Sequence, residues 1–407
     1  MPPPKSETSS AVPPGFAQIL GAIVSLDCAR AIDPLASLPY ASELSAKNAA
    51  LVEFWKRNAL PGLPEALVPS PRQRHYRTTS KRRIRLVDSR VYFGFDEQVH
   101  RNAPLVAESV LEPLEHGGIY RFLHEKISAP PYRHLARHLN YLIIRGTYAE
   151  FCVIFNVDDL DAGIVRKIKL LAGHLQTAMP AVTSALVYHD PLRSRYYFEQ
   201  FAPETAMRIK HLYGRETLMT TFGGRRYVYA PAVFSQVNES MLPVMGDVVM
   251  GMVGHGGRLI DLYCGYGLFS HYLADRFAEI LGVDANRAAI EAATRNIRLN
   301  PASARRTFAA RDITGCSLAG VFEGLRPGAE SVLLDPPRQG TAPGVIDFLA
   351  SRAPLRVVHI FCNVDEIPRS LQEWRRGGYM PDRIVPLDMF PGTPNLEVVV
   401  GLVRMRA

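Results

Sequence analysis

Two side chains stand out as candidates for covalent chemistry. Cys362 closes the apolar run VVHIFC and is followed by polar Asn363 and a stretch predicted to be helical. A thiol at a strand's carboxyl end, facing a helix amino terminus, is favoured as thiolate and can act as a nucleophile. A lone cysteine in an apolar run is more often a small core residue, so its position rather than its type makes it a candidate. Glu397 stands near the start of LEVVVGLV among apolar neighbours. Such an acid is either a base in a site or a solvated charge on an edge strand. Only the fold could bring it to Cys362.

A second set of residues has the pattern of a nucleotide site. LIDLYCGYGLFSHYLA reads as strand, glycine turn and helix, with Gly265 and Gly267 allowing a tight turn and close approach of a ligand. Ser270 occupies the third position of a dinucleotide fingerprint, so that match is partial. Asp261 lies just before the turn, where it could accept from a ligand ammonium, and Asp284 ends the next strand, where it could accept from ribose hydroxyls. A carboxylate before the turn would repel a pyrophosphate. It suits an amino-acid-bearing nucleotide, which favours S-adenosylmethionine over NAD. The other reading is a structural βαβ turn with incidental acids. SVLLDPPRQG carries Asp335 to the sheet edge where doubly wound folds bind ligands, unless the aspartate only caps a helix. Methyltransferases acting on exocyclic amines place an aromatic after the two prolines. Here Arg338 stands there, which argues against amine methylation.

The elements that must position these groups follow from periodicity. LIDLYC, ILGVDA, SVLLDPP and VVHIFCN are short apolar strands separated by helical stretches such as NRAAIEAATRNIRLN, which predicts a parallel, doubly wound α/β sheet. Earlier, NYLIIRGT, EFCVIFNV, AGIVRKIKLLAGHLQTAM and TSALVYH predict strand, strand, helix, strand, an α+β module. Residues 15–60 show helical spacing of Leu44, Leu51, Phe54 and Trp55, and a proline-rich link follows. RQRHYRTTSKRRIRLVDSRVYFGF predicts a β-hairpin crowded with Arg72, Arg74, Arg77, Lys81, Arg82, Arg83 and Arg85. That stretch is either a solvated edge strand or a phosphate-binding strip with Tyr76 interleaved. The division expected is a disordered tail over 1–14, an α+β region over 15–215 and a doubly wound domain over 216–407. The formal net charge of +8 is compatible with a polyanionic partner. The five cysteines are scattered without a C-x-x-C pair, which predicts free thiols and no metal site. No apolar run approaches the ~20 residues of a membrane helix, and the start lacks a signal-peptide core, so a cytoplasmic protein without membrane contact is expected.

FSQVN, DLYCGYGLFS, LLDPPRQG, FCNVDE and MFPGTPNLEVV occur in the order and spacing of the RNA 5-methyluridine methyltransferases, and the chain resembles that family. The likeness is close over residues 230–407 and looser at SPRQRHYRTTSKRRI and PYASELSAK. It implies a Rossmann-like class I methyltransferase domain behind an amino-terminal RNA-binding region. It also implies transfer of a methyl group from S-adenosylmethionine to carbon 5 of a uridine in transfer RNA or large-subunit ribosomal RNA. By position, the nucleophile falls on Cys362 and the base on Glu397. Cofactor contacts fall on Gln236, Asp261, Tyr263, Gly265, Gly267, Asp284 and Asp335. Substrate contacts fall on Gln236, Asp335 and Arg338, with Arg82 and Arg83 as expected RNA contacts. The chain departs from the family at Phe361, Val364 and Asn395. Ribosomal-RNA members often bear a four-cysteine iron–sulfur cluster near the start. Only Cys28 lies there, so no cluster is expected. A monomer acting on structured RNA is expected. Two other classes stay open at this point: a catalytically silent RNA-binding or folding protein, and a methyltransferase of small molecules.

Overall fold

The computed structural model describes residues 14–28, 33–96, 103–194, 208–325, 327 and 329–405. The expected tail lies outside the described residues except for Pro14. Helices α1 (Phe16–Val24) and α2 (Tyr40–Arg57) come first. The basic segment then forms a hairpin, β1 (Thr79–Val87) and β2 (Arg90–Gly94). Asp88 and Ser89 close it with φ of +48° and +65°, the left-handed pair that matches strand twist in a two-residue turn. Next come α3 (Leu114–Ser128), α4 (Leu135–His138), β3 (Leu139–Gly146), β4 (Phe151–Val157), α5 (Ala162–Ala178), β5 (Val182–His189) and β6 (Arg208–Gly214). Their sheet runs β2-β1-β3-β4-β5-β6, with α3 and α5 packed on one face. The Asp161 carboxylate starts α5 by accepting from the Gly163 and Ile164 amides.

A hairpin of β7 (Leu218–Phe222) and β8 (Arg225–Tyr229) leads to the second sheet. Its elements are α6 (Leu242–Val253), β9 (Gly256–Leu262), α7 (Leu268–Tyr272), β10 (Phe277–Asp284), α8 (Arg287–Leu299), β11 (Arg305–Ala310), α9 (Gly315–Val321), β12 (Glu330–Leu334), α10 (Val345–Ser351), β13 (Arg356–Phe361), α11 (Ile367–Arg376), β14 (Tyr379–Leu387) and β15 (Glu397–Arg404). The order is β11-β10-β9-β12-β13-β15-β14, and β15 runs against its neighbours. This is the expected doubly wound, Rossmann-like sheet. Its strands read as continuous apolar runs because both faces are covered. Ile260, Leu262, Leu334, Phe361 and Val398 enter one core, while Leu259, Leu333, Ile360 and Val399 enter the other. The second core also takes Tyr141, Ile143, Cys152, Ile154, Leu186 and Tyr188 from the first sheet, so the two sheets share one apolar seam.

At the edge where the parallel strands begin, acids and arginines interlock. Arg258 binds both Glu279 and Glu330 (3.0 and 2.7 Å), Arg352 binds Glu330 (2.6 Å), and Arg305 binds Glu279 (2.7 Å).

Three expectations change. The boundary at 215 does follow β6, but α1 and α2 do not belong with the first sheet. Phe16, Ile19, Leu20, Leu51, Phe54 and Trp55 enter the core of the second sheet, because their apolar stripes complete its otherwise open face. Arg82 is not a surface phosphate contact. It is 1% exposed and forked onto Glu112 at 2.9 and 2.6 Å. β1 is also an interior strand between β2 and β3, so its alternate side chains point inward. Tyr76 is buried as well, and its hydroxyl donates to the Pro391 carbonyl. Arg83 stays partly exposed and donates to the Tyr141 hydroxyl at 3.0 Å, while Arg85 is exposed.

Candidate active site

Strand register assembles the site. Phe361 of β13 pairs with Val398 of β15 at the end of their ladder, and the same register carried one residue further sets Cys362 opposite Glu397. Because β15 is antiparallel, its first residue lies at the edge where β13 ends. Alternation also sets the face: Phe361 and Val398 enter the core shared with α1 and α2, so Cys362 and Glu397 turn to the side of the first sheet. Leu334 of β12 pairs with Leu262 of β9 and His359 of β13, which brings Asp335 to the same edge. The Asp335 amide donates to the Leu262 carbonyl at 3.3 Å. Neighbouring strands β9 and β12 are also where the strand order reverses, the crevice where such sheets bind ligands.

Glu397 is 2% exposed, and its Oε2 is buried with no hydrogen-bond partner. It is not on an edge strand, since β15 lies between β13 and β14. Burial and then the Asp335 carboxylate push its own carboxyl well above the usual range, with Arg338 pulling the other way. A buried orphan acceptor is costly, and a raised carboxyl is a better proton acceptor than an ordinary one. The Cys362 thiol donates to the Pro336 carbonyl at 3.6 Å. Burial, then Glu397 and Asp335, push this thiol up, and Arg338 again opposes them. This reverses the expectation of a helix-lowered thiol. Between Cys362 and α11 stands a one-turn 3-10 segment, Val364–Glu366, started by the Asn363 side chain accepting from the Asp365 amide. Enclosure and two acids outweigh any helix dipole there.

The glycine turn follows β9. Tyr263 takes φ +62°, Gly265 +54° and Gly267 +81°. A Cβ at Gly267 would meet His271 at 2.9 Å, so that glycine is required by packing as well as by conformation. A Cβ at Gly265 would meet nothing within 4 Å, so there the backbone faces open space in which a ligand can lie. Asp284 braces the turn, accepting from the Gly265 and Asn286 amides at 2.9 and 2.8 Å, and its spare lone pairs can still take hydroxyls. Asp261 is enclosed and accepts from Ser270 at 2.5 Å. Burial raises Asp261 and Asp335 to about 7, and Asp284 is raised for the same reason. This acid-rich crevice with an open glycine turn fits a ligand that is both cationic and rich in hydroxyls, as S-adenosylmethionine is.

Gln236 is buried to 8% exposure in the loop after β8, between Ser235, which accepts from Arg145, and Asn238, which donates to the Met389 carbonyl. The carbonyl of Arg338 accepts from the Asn363 side chain, which ties the loop after β12 to the turn after Cys362. Cys362, Glu397, Asp335 and Arg338 are thus brought together, and Tyr263, Gly265, Gly267, Asp261 and Asp284 form the adjoining turn. Arg82 and Arg83 lie away from both, on the first sheet. Ser270 had been noted only as a missing glycine. Its hydroxyl is the partner of Asp261, which no spacing rule would have indicated.

Residues 202–405 match the tRNA (uracil-5-)-methyltransferase family. A Geobacter sulfurreducens RNA methyltransferase is 28% identical over 91% of this chain and 74% of its own length. A Klebsiella pneumoniae 23S rRNA (uracil(1939)-C(5))-methyltransferase is 34% identical over 49% of this chain and 45% of its own. The Pyrococcus abyssi tRNA (uracil-54, C5)-methyltransferase, solved with S-adenosyl-L-homocysteine, has the same fold, with TM-score 0.67 and 24% identity over 91% of this chain and 85% of that one. With half of its length inside the family's boundaries and the site in the half that matches, the chain belongs to the tRNA (uracil-5-)-methyltransferase family.

Proposed function

We propose that this enzyme methylates carbon 5 of a uridine in transfer RNA or large-subunit ribosomal RNA through a covalent adduct on Cys362, resolved by Glu397. The observation that carries this reading is a buried carboxylate oxygen without a partner, placed one step beyond the Phe361–Val398 pair and opposite Cys362, which among the described residues is the partly exposed cysteine at the ligand edge of the sheet. Carbon 5 of uracil is a weak nucleophile. Cys362 reacts as its thiolate, its proton passing to water: the sulfur bonds to carbon 6, the double-bond electrons move toward the carbonyl, and carbon 5 becomes an enolate carbon able to accept a methyl group. When bound, S-adenosylmethionine supplies that methyl on a cationic sulfonium, whose charge offsets the carboxylates that hold the thiol up. The Gly265 turn and Asp284 would hold its nucleoside, and Asp335 would lie near the reacting groups. Glu397 then takes the hydrogen from carbon 5, the carbon 5–carbon 6 double bond re-forms, and the sulfur leaves as thiolate. The uridine must leave its stack to enter, as bases do in enzymes of this type.

The test is RNA containing 5-fluorouridine. Fluorine cannot be removed as a proton, so the wild-type protein should form a methylated protein–RNA adduct that survives denaturation. Cys362→Ala should form none and should lose methylation while binding the cofactor as before. Turnover by Cys362→Ala would overturn the nucleophilic mechanism.

A further inference from the structure

The loop over 388–396 joins β14 to β15 and delivers Glu397 to the site. Its first half, Asp388 to Gly392, is gripped by residues from the other end of the chain. The Lys47 ammonium donates to Asp388 at 2.8 Å and to the Phe390 carbonyl at 3.3 Å, and it is paired with Glu43 at 2.8 Å. Glu43 in turn accepts from the Gly392 amide at 2.5 Å. The Tyr76 hydroxyl donates to the Pro391 carbonyl at 3.0 Å, and Tyr40 donates to Asp388 at 2.9 Å. Lys47, Glu43 and Asp388 are all fully buried. Gly392 takes φ +85°, and a Cβ there would meet Leu111 at 2.7 Å, so the loop path is also fixed by packing. A buried lysine and two buried acids are an expensive way to hold one helix to a sheet, where apolar residues serve as well. Besides the pairs that Glu43 makes with Lys47 and Arg74, their directional bonds end on the loop that precedes the base.

We propose that Lys47, Glu43 and Tyr76 are positioning residues for Glu397: they fix the 388–396 loop so that its carboxylate lies opposite Cys362. This rests on the role of Glu397 as the base. Displacement of a base by about 1 Å costs on the order of 10²-fold in its step. Methyl transfer, which precedes that step, does not use the base.

The experiment compares single-turnover methyl transfer into the protein–RNA adduct with the later resolution of that adduct. It uses the full chain, labelled S-adenosylmethionine and bulk RNA lacking 5-methyluridine. Lys47→Met should slow resolution by roughly 10²-fold. Tyr76→Phe removes one hydrogen bond without burying a stray charge, and should slow resolution by roughly tenfold. In both, methyl transfer and cofactor affinity should stay within about twofold, so labelled adduct accumulates. Glu53→Gln, in an exposed pair with Arg57 on the same helix, is the control and should resolve adduct normally. If the variants lose stability but methyl transfer and resolution slow together, or neither slows, the helices only support the fold and the positioning role is wrong. If the wild type forms no adduct even with 5-fluorouridine RNA, the reading of Glu397 and Cys362 falls first, and this one with it.

Discussion

The two edges of the seven-stranded sheet are built on opposite electrostatic plans. Where the parallel strands begin, acids meet arginines. Glu330 is held by Arg258 and Arg352, and hydrogen bonds from Arg305 and Arg258 keep the Glu279 carboxyl below its ordinary range. Where the strands end, Asp261, Asp284, Asp335 and Glu397 are all pushed up, chiefly by burial. Among the described residues, Arg338 is the cation that offsets both Glu397 and Cys362. The first edge holds the sheet together. The second leaves its acids short of partner cations, so that they hold on to their protons, an arrangement that a cationic ligand and a reaction can use.

The sharpest way to test that contrast is to neutralise one acid at each edge. On the proposed mechanism, Glu397→Gln leaves carbon 5's hydrogen without an acceptor. Product release should fall by ~10²–10⁴-fold, a labelled protein–RNA adduct should accumulate, and the fold should be no less stable at pH 8. Glu330→Gln strips two arginines of their buried partner. It should cost about 3–5 kcal/mol in denaturant unfolding and leave the adduct chemistry alone. Matching stability losses at both edges would erase the distinction.

A smaller effect appears in pH. Asp261 rises from 3.8 to about 7 in the folded protein. The folded state therefore holds protons that the unfolded state releases. The resulting stabilisation is complete below pH ~4 and is lost as pH rises through ~7. The melting temperature of the ligand-free protein should accordingly carry a decline from pH 5 to pH 8, and Asp261→Asn should flatten it. A steeper decline in the variant would show that other groups govern that window.

The smallest effect concerns the basic hairpin. Arg85→Ala should flatten the salt dependence of RNA binding by about one unit of slope if the strip tracks phosphates. Arg82→Met should leave that slope alone and lower stability instead, because the Arg82 guanidinium is already committed to Glu112.

These contrasts also show what could be read from residues alone. Strand identity was plain where both faces of a strand are apolar, as in SVLLDPP and VVHIFCN. Cys362 and Asp335 could therefore be placed at strand ends. Glu397 was harder, because its position depends on β15 inserting antiparallel between β13 and β14, and no local pattern specifies such an insertion. Arg82 was misplaced for the opposite reason. Its sequence context, KRRIR, looks solvated, yet alternation in an interior strand turns every second side chain inward onto Glu112, outside the hairpin. The helical spacing of 15–60 predicted helices correctly. It could not say that their apolar stripes pack on the second sheet.

That last packing has a consequence for how the chain is made. Lys47 and Asp388 are 341 positions apart. At ~5–20 residues per second of synthesis, roughly 20–70 s separate the emergence of one from the other. Until the strands from β9 onward have been made, Phe16, Leu20, Phe54 and Trp55 have no sheet to cover, and until β15 emerges β13 lacks the neighbour that carries Glu397. The nascent protein should therefore need shielding of its first helices by a holding chaperone, and should bring Glu397 into place in one late, cooperative closure.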